Sequence, residues 1–155
     1  IAKDRGAELS LVEVGVLRMY TAEFFRPWNN ALRGLDLSYQ ADHGAGLASW
    51  ATCIAVLNSA VVKLSSVPVR DPLTSKTLTC AYRGIQEDTM QLPDAFLKPS
   101  EENAGFPGGT EISFSAATAD IYNAYLFSGG WGVPGSILVI EATHSSGFAD
   151  VQFLD

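Results

Sequence analysis

Apolar residues recur at helical spacing over the first half of this chain and at strand-like spacing over the second. Between positions 7 and 25, Leu9, Val12, Val16, Met19 and Tyr20 follow one another at intervals that keep them on one face, with Glu8, Glu13 and Arg18 between them. That is the period of an amphipathic helix. Arg26-Pro27 is expected to end it, because the residue before a proline is pushed out of the helical region. Residues 29–40 predict a second, shorter helix, and Asp42-His43-Gly44-Ala45-Gly46 a loop. Residues 47–65 predict the strongest helix of the chain. Leu47, Ala48, Ala51, Ala55, Leu57, Ala60 and Leu64 supply propensity and apolar contact on most of its faces. A helix of that kind is expected to be buried, in its own core or in an interface.

The pattern then changes. Residues 65–76 hold Pro68, Pro72 and several Ser and Thr and predict a loop, followed by strand-like residues over 77–82. Leu92-Pro93-Asp94-Ala95-Phe96 suggests a short helix opened by proline, and 98–109, with Pro99, Gly105, Pro107, Gly108 and Gly109, a loop. A strand is expected over 111–115 and a helix over 119–127 with Asp120 near its start. A glycine-rich turn carrying Trp131 is expected over 128–135, and strands over 136–142 and 149–154. Helices first and strands later make an α+β protein. A single domain of 155 residues is expected, mainly helical over 1–76 and strand-rich over 77–155.

Composition narrows the partners. The chain is 47% hydrophobic and 17% charged, against about 25% charged in an ordinary soluble domain. That suits a globular domain with more than the usual apolar surface, and equally a subunit resting against a partner. Its net charge of −7, with no basic run, argues against nucleic acid and anionic membrane surfaces. The apolar run around 51–64 is broken by Thr52, Asn58, Ser59 and Lys63 and is too short and polar to span a bilayer. Cys53 and Cys80 read as two buried free thiols, with a disulfide left open. Neither His43 nor His144 stands at ligand spacing to a cysteine, so no metal site is expected. Trp28, Trp50 and Trp131 read as packing or interface anchors. The sequence begins at Ile1 rather than Met, which fits a mature form, a fragment or removal of a targeting peptide. An organelle or the cytoplasm is compatible with that start.

A series of short pieces follows in order across the second half. Tyr82-Arg83-Gly84 comes first, then Leu92-Pro93 and Phe96, then Gly108-Gly109-Thr110-Glu111 leading into Phe114, with Thr118, Asp120 and Ala124 after it. Ser136-Ile137-Leu138-Val139-Ile140 and Gly147-Phe148-Ala149-Asp150-Val151 close the series. In order and spacing these resemble the ADP-ribosyltransferases of the arginine, serine, glutamate type, and more narrowly the ADP-ribosyltransferase-like domains common in protists. The resemblance implies a mostly antiparallel sheet after the helical half, here lacking its last strands. It implies chemistry that cleaves the bond between nicotinamide and ribose in NAD, through a transition state like that of glycoside hydrolysis.

By the same resemblance Arg83 anchors the anionic pyrophosphate or ribose through its planar fork of donors. Gly84 lets the nicotinamide amide approach the backbone, and Phe114 and Thr118 line the cofactor. The family's orienting serine falls at Ala116, which offers no hydrogen bond. A shifted register would use Ser113 or Ser115 instead, at the cost of the spacing to Phe114, Thr118 and Asp120. The family's catalytic glutamate would follow Phe153-Leu154-Asp155 by a few residues, beyond the end of the sequence. Glu111, Glu141 and Asp150 lie where the family places no catalytic group. On residue chemistry alone Arg83 also reads as a surface cation, and the glycines 129, 130, 132 and 135 as turn residues.

The expectation is therefore an inactive domain with no cofactor, or NAD if binding is retained. It would act as a structural or docking subunit, with a protein partner covering the sheet edge near Leu154. The alternative is an NAD-dependent ADP-ribosyltransferase or NAD glycohydrolase whose glutamate lies past residue 155. A third reading is a non-catalytic NAD-binding module anchored by Arg83.

Overall fold

A computed structural model describes residues 7–34, 47–71, 74–86, 98–99, 111–141 and 148–151. The protein is α+β. Two compact units divide it, Ile1–Leu78 with Ala142–Asp155, and Thr79–Glu141. The first holds α1 (Leu11–Met19), a π-helical turn (Tyr20–Phe24), α2 (Phe25–Arg33) and α3 (Leu47–Ser65). The second holds β1 (Cys80–Gln86), α4 (Ile121–Phe127) and β2 (Gly135–Glu141).

The first helix starts at Leu11 rather than at 7 because Ser10 caps it. The Ser10 hydroxyl accepts from the Glu13 N–H at 3.2 Å, and the Glu13 carboxylate accepts from the Ser10 N–H at 2.8 Å. This reciprocal capping box satisfies two donors that the first turn leaves open. Leu17 and Val16 then point inward, while Leu11 and Val12 stay exposed.

Contrary to expectation, Arg26-Pro27 does not end the helix. The π-helical turn widens the backbone before the proline and resets the hydrogen-bond register. Pro27 becomes the third residue of α2, in the first turn, where no N–H is required. Inside the widened turn the Thr21 hydroxyl donates back to the Leu17 and Arg18 carbonyls, both at 3.2 Å. The second helix stops at Gly34, whose φ of 68° is left-handed and closes the end. The expected continuation over 35–40 and the loop over 42–46 lie outside the described residues.

The bounds of α3 match the sequence expectation, but its burial does not. Among its described side chains only Leu57, Ala60 and Leu64 are buried, on one face at i, i+3 and i+7, while Val62 is exposed. Both α1 and α2 pack on this helix, so one stripe suffices and the small residues elsewhere face outward. Trp28, Leu17 and Leu57 are fully buried and form the centre of the unit. Around Trp28 stand Tyr20, Phe24 and Trp50, with ring centroids 6.2, 5.7 and 6.1 Å away. After α3 the expected loop folds back on itself. Arg70 bridges Thr77, Leu78 N–H donates to the Val69 carbonyl at 2.7 Å, and Ser75 takes a positive φ of 57° in the turn.

In the second unit β1 and β2 pair antiparallel, from Cys80 opposite Glu141 to Gln86 opposite Gly135. The strand expected over 77–82 thus begins at Cys80 and runs on to Gln86. Asp120 caps α4, its carboxylate accepting from the Tyr122 N–H at 2.9 Å. The helix ends in a Schellman motif, with Gly129 N–H bonded to the Leu126 carbonyl at 3.2 Å and Gly130 N–H to Tyr125 at 3.1 Å.

Residues 111–115 form no strand. Glu111 accepts from the Ser113 N–H at 3.0 Å and its hydroxyl at 2.7 Å, a local closure that competes with a ladder. Nor are 149–151 a strand. The rest of that expected strand, the sheet edge near Leu154, the short helix over 92–96 and the loop over 100–109 lie outside the described residues.

Candidate functional site

The strand β1 carries Arg83 and Gly84, and the segment carrying Phe114, Ala116 and Thr118 runs beside it. Tyr82 and Thr118 exchange both backbone hydrogen bonds, N–H to carbonyl at 2.8 Å in each direction. Arg83 and Gly84 on one side, and Phe114, Thr118 and the alanine at 116 on the other, therefore belong to two hydrogen-bonded neighbours. Arg83, Phe114 and Thr118 are half-buried, and Ala116 and Ala117 are exposed.

The hydroxyl that meets the arginine is not at position 116. Arg83 donates through Nη1 to Ser115 Oγ. This is one of the two residues, Ser113 and Ser115, that the shifted register would use. The guanidinium has five donors in a fixed fork, and Ser115 engages one of them. A planar, permanently charged group held in this way can receive an anion such as a pyrophosphate.

Gly84 has a structural reason to be glycine. A Cβ there would overlap the Ala124 carbonyl and come within 2.6 Å of the Ser128 N and 2.9 Å of the Phe127 carbonyl carbon. The C-terminal turn of α4 rests directly on the strand backbone. Gly135 on β2 meets the same turn, its Cβ position 2.9 Å from Ser128 Cβ. Strand alternation also directs the Gly84 N–H and C=O to the edge that Tyr82 shares with Thr118. On β1 the Cys80 sulfur and the Tyr82 phenol oxygen share a hydrogen bond of 3.7 Å. This contact with Cys80 raises the phenol's pKa. Cys80 and Cys53 are both free and both half-buried, less enclosed than their apolar neighbours in the sequence suggest.

Glu13 was missed by periodicity, which sets it among the polar residues between the apolar positions. It is 5% exposed. Its carboxylate accepts from Ser10, from the Ser59 hydroxyl at 2.9 Å and from Lys63 Nζ at 2.9 Å. The lysine, with the Ser10 backbone next, holds its pKa down to about 2, against the opposing push of burial. The signal was present in the sequence as Ser10-Leu11-Val12-Glu13 and as the i, i+4 pair Ser59 and Lys63.

The first unit also holds a cleft of about 370 Å³ between Ala7, Leu64, residues 67–70 and Asp150. Arg70 at its rim donates to the Ser75 carbonyl at 3.0 Å. Among the described residues, no group of three or more His, Cys, Asp and Glu could hold a metal ion, and no helix is long and apolar enough to cross a membrane. His43 and His144 lie outside them. No protein-family model, curated protein or solved structure matches this chain.

Proposed function

We propose that this chain is a catalytically inactive ADP-ribosyltransferase-like domain that serves as a structural or docking subunit of a larger protein assembly. The observation that carries the reading is the pairing of the arginine strand with the segment around Thr118. That pairing sets Arg83 beside Ser115 and leaves an exposed alanine at 116. Arg83 is the residue that would hold an NAD pyrophosphate if binding is retained. Ala116 and Ala117 offer no hydroxyl, and the Ser115 hydroxyl accepts from Arg83 one residue away from the position that the family's spacing gives its orienting serine.

A docking role draws support from the apolar surface that both units leave open. Leu11 and Val12 on α1 are exposed, and so are Ile121, Tyr122, Leu126 and Phe127 on α4. The test is to isolate the protein at its natural length and follow its assembly state and nicotinamide release together. The expected result is a stoichiometric complex with another protein and no release of nicotinamide from NAD. A stable monomer that releases nicotinamide would overturn the reading.

A further inference from the structure

The cleft of the first unit involves the end of α3 and the arm that follows it. Its volume, about 370 Å³, lies at the small end of the roughly 300–1,000 Å³ usual for ligand pockets. Leu64 and Ala7 are the enclosed part of its lining, 4% and 3% exposed. Val67, Pro68 and Val69 continue the apolar wall. Among the described lining residues two are charged, Arg70 and Asp150, one of each sign. Arg70 is exposed and Asp150 half-buried.

The wall is built before any ligand arrives. Val67 N–H donates to the Leu64 carbonyl at 3.0 Å, which ties the arm to the last turn of α3. Leu78 N–H donates to the Val69 carbonyl at 2.7 Å and Asp71 N–H to the Lys76 carbonyl at 2.8 Å, so the backbone is held on both sides of Arg70. Ser75 N–H on the Asp71 carbonyl at 2.8 Å and Thr74 N–H on the Asp71 carboxylate at 2.7 Å close the turn. The Ser75 carbonyl then accepts from Arg70 Nη1 at 3.0 Å, which restrains the guanidinium and uses one of its five donors. A site restrained in this way loses little freedom on binding.

We propose that this cleft binds a small zwitterion with an aliphatic body, the chemistry of an apolar α-amino acid. Charge selects among the alternatives. A neutral apolar molecule would cover both charged groups and pair with neither. A simple carboxylate would suit Arg70 but bring a like charge to Asp150, and a simple amine would do the reverse. A zwitterion answers both groups at once. Its carboxylate can take paired N–H bonds from the guanidinium. Its ammonium donates to Asp150, whose two carboxylate oxygens can serve more than one donor. The aliphatic body leaves water for Leu64, Val67, Pro68 and Val69. Arg83 belongs to the other unit, and the proposal does not rest on the ADP-ribosyltransferase reading.

Isothermal titration calorimetry of the 155-residue chain with L-leucine tests it. The expected result is saturable, equimolar binding in the millimolar range or tighter. Two analogues divide the ligand, since isocaproate lacks the ammonium and isopentylamine lacks the carboxylate. Each should bind at least about tenfold more weakly, the cost of losing one charged hydrogen-bonding partner. Arg70→Gln and Asp150→Asn should each weaken L-leucine by a similar factor with an unchanged circular dichroism spectrum. The analogue comparison uses the wild type and stands even where a variant fails to fold. Absence of saturable binding of L-leucine would overturn the proposal. So would equal affinity for either analogue, or undiminished binding by both folded variants.

Discussion

Lys63 Nζ lies 2.7 Å from Glu13 Oε1, joining the start of α1 to the last turns of α3 through a carboxylate that is otherwise enclosed. Ser10 and Ser59 complete its hydrogen bonds, so the group is both a helix cap and a clasp between helices. Removing either charged partner should therefore destabilise the first unit, and unequally. Lys63→Met strands a buried carboxylate, whereas Glu13→Gln leaves a lysine that is 45% exposed and can turn to water. We expect losses of about 1–3 kcal/mol for Lys63→Met, discounted for that exposure, and about 1 kcal/mol for Glu13→Gln. Urea unfolding of the two variants measures the difference, and no loss in Lys63→Met would mean that the carboxylate acts only as a cap.

The same carboxylate should give the protein an acid-sensitive term. Its folded pKa, about 2, lies below the ordinary value of 4.5. A depressed pKa contributes stability that is fully present above the unfolded value and is lost as pH falls toward the folded one. The wild type should thus lose on the order of 2 kcal/mol more than Glu13→Gln between about pH 5 and pH 2. Parallel denaturation curves across that range check this, and identical slopes for the two proteins would count against it.

Gly84→Ala should disrupt the second unit. The added methyl would run into backbone at Ala124, Phe127 and Ser128 rather than into a flexible side chain. Overpacking costs about 1–3 kcal/mol, and an obstacle made of backbone belongs at the upper end. Thermal unfolding followed at the tyrosines and tryptophan of that unit reports it. A variant as stable as the wild type would show that α4 can lift off β1 freely.

Leu57→Ala tests the centre of the first unit. Leu57 is fully buried on the stripe that faces α1 and α2, and its truncation should cost about 2–5 kcal/mol. The exposed Val62 of the same helix, changed to Ala, should cost less than about 0.5 kcal/mol. Similar losses at both sites would contradict the one-sided burial of α3.

Much of this architecture can be read from residue patterns alone. The alanine-rich run reveals α3 to the residue, and Asp120 announces the start of α4. Local chemistry explains what the patterns conceal. Periodicity places α1 from residue 7 because it ignores Ser10, whose side chain decides where the helix can begin. Proline normally ends a helix, and here the π-helical turn moves Pro27 to a position where its missing N–H does no harm. Residues 111–115 have strand-like composition, yet Glu111 folds back on Ser113. The strand that carries Arg83 does pair with the segment that carries Thr118, through Tyr82, but spacing to Phe114 favours position 116 for the hydroxyl where geometry brings up Ser115. Glu13 escaped because a glutamate between apolar positions reads as solvated until its lysine, fifty residues on, is seen beside it.

The most direct test of the central claim is the rate of nicotinamide release from NAD by the natural-length protein, measured beside its Arg83→Ala variant. An inactive domain predicts the same background rate for both. Release by the wild type that Arg83→Ala abolishes would contradict the account and make the protein an enzyme.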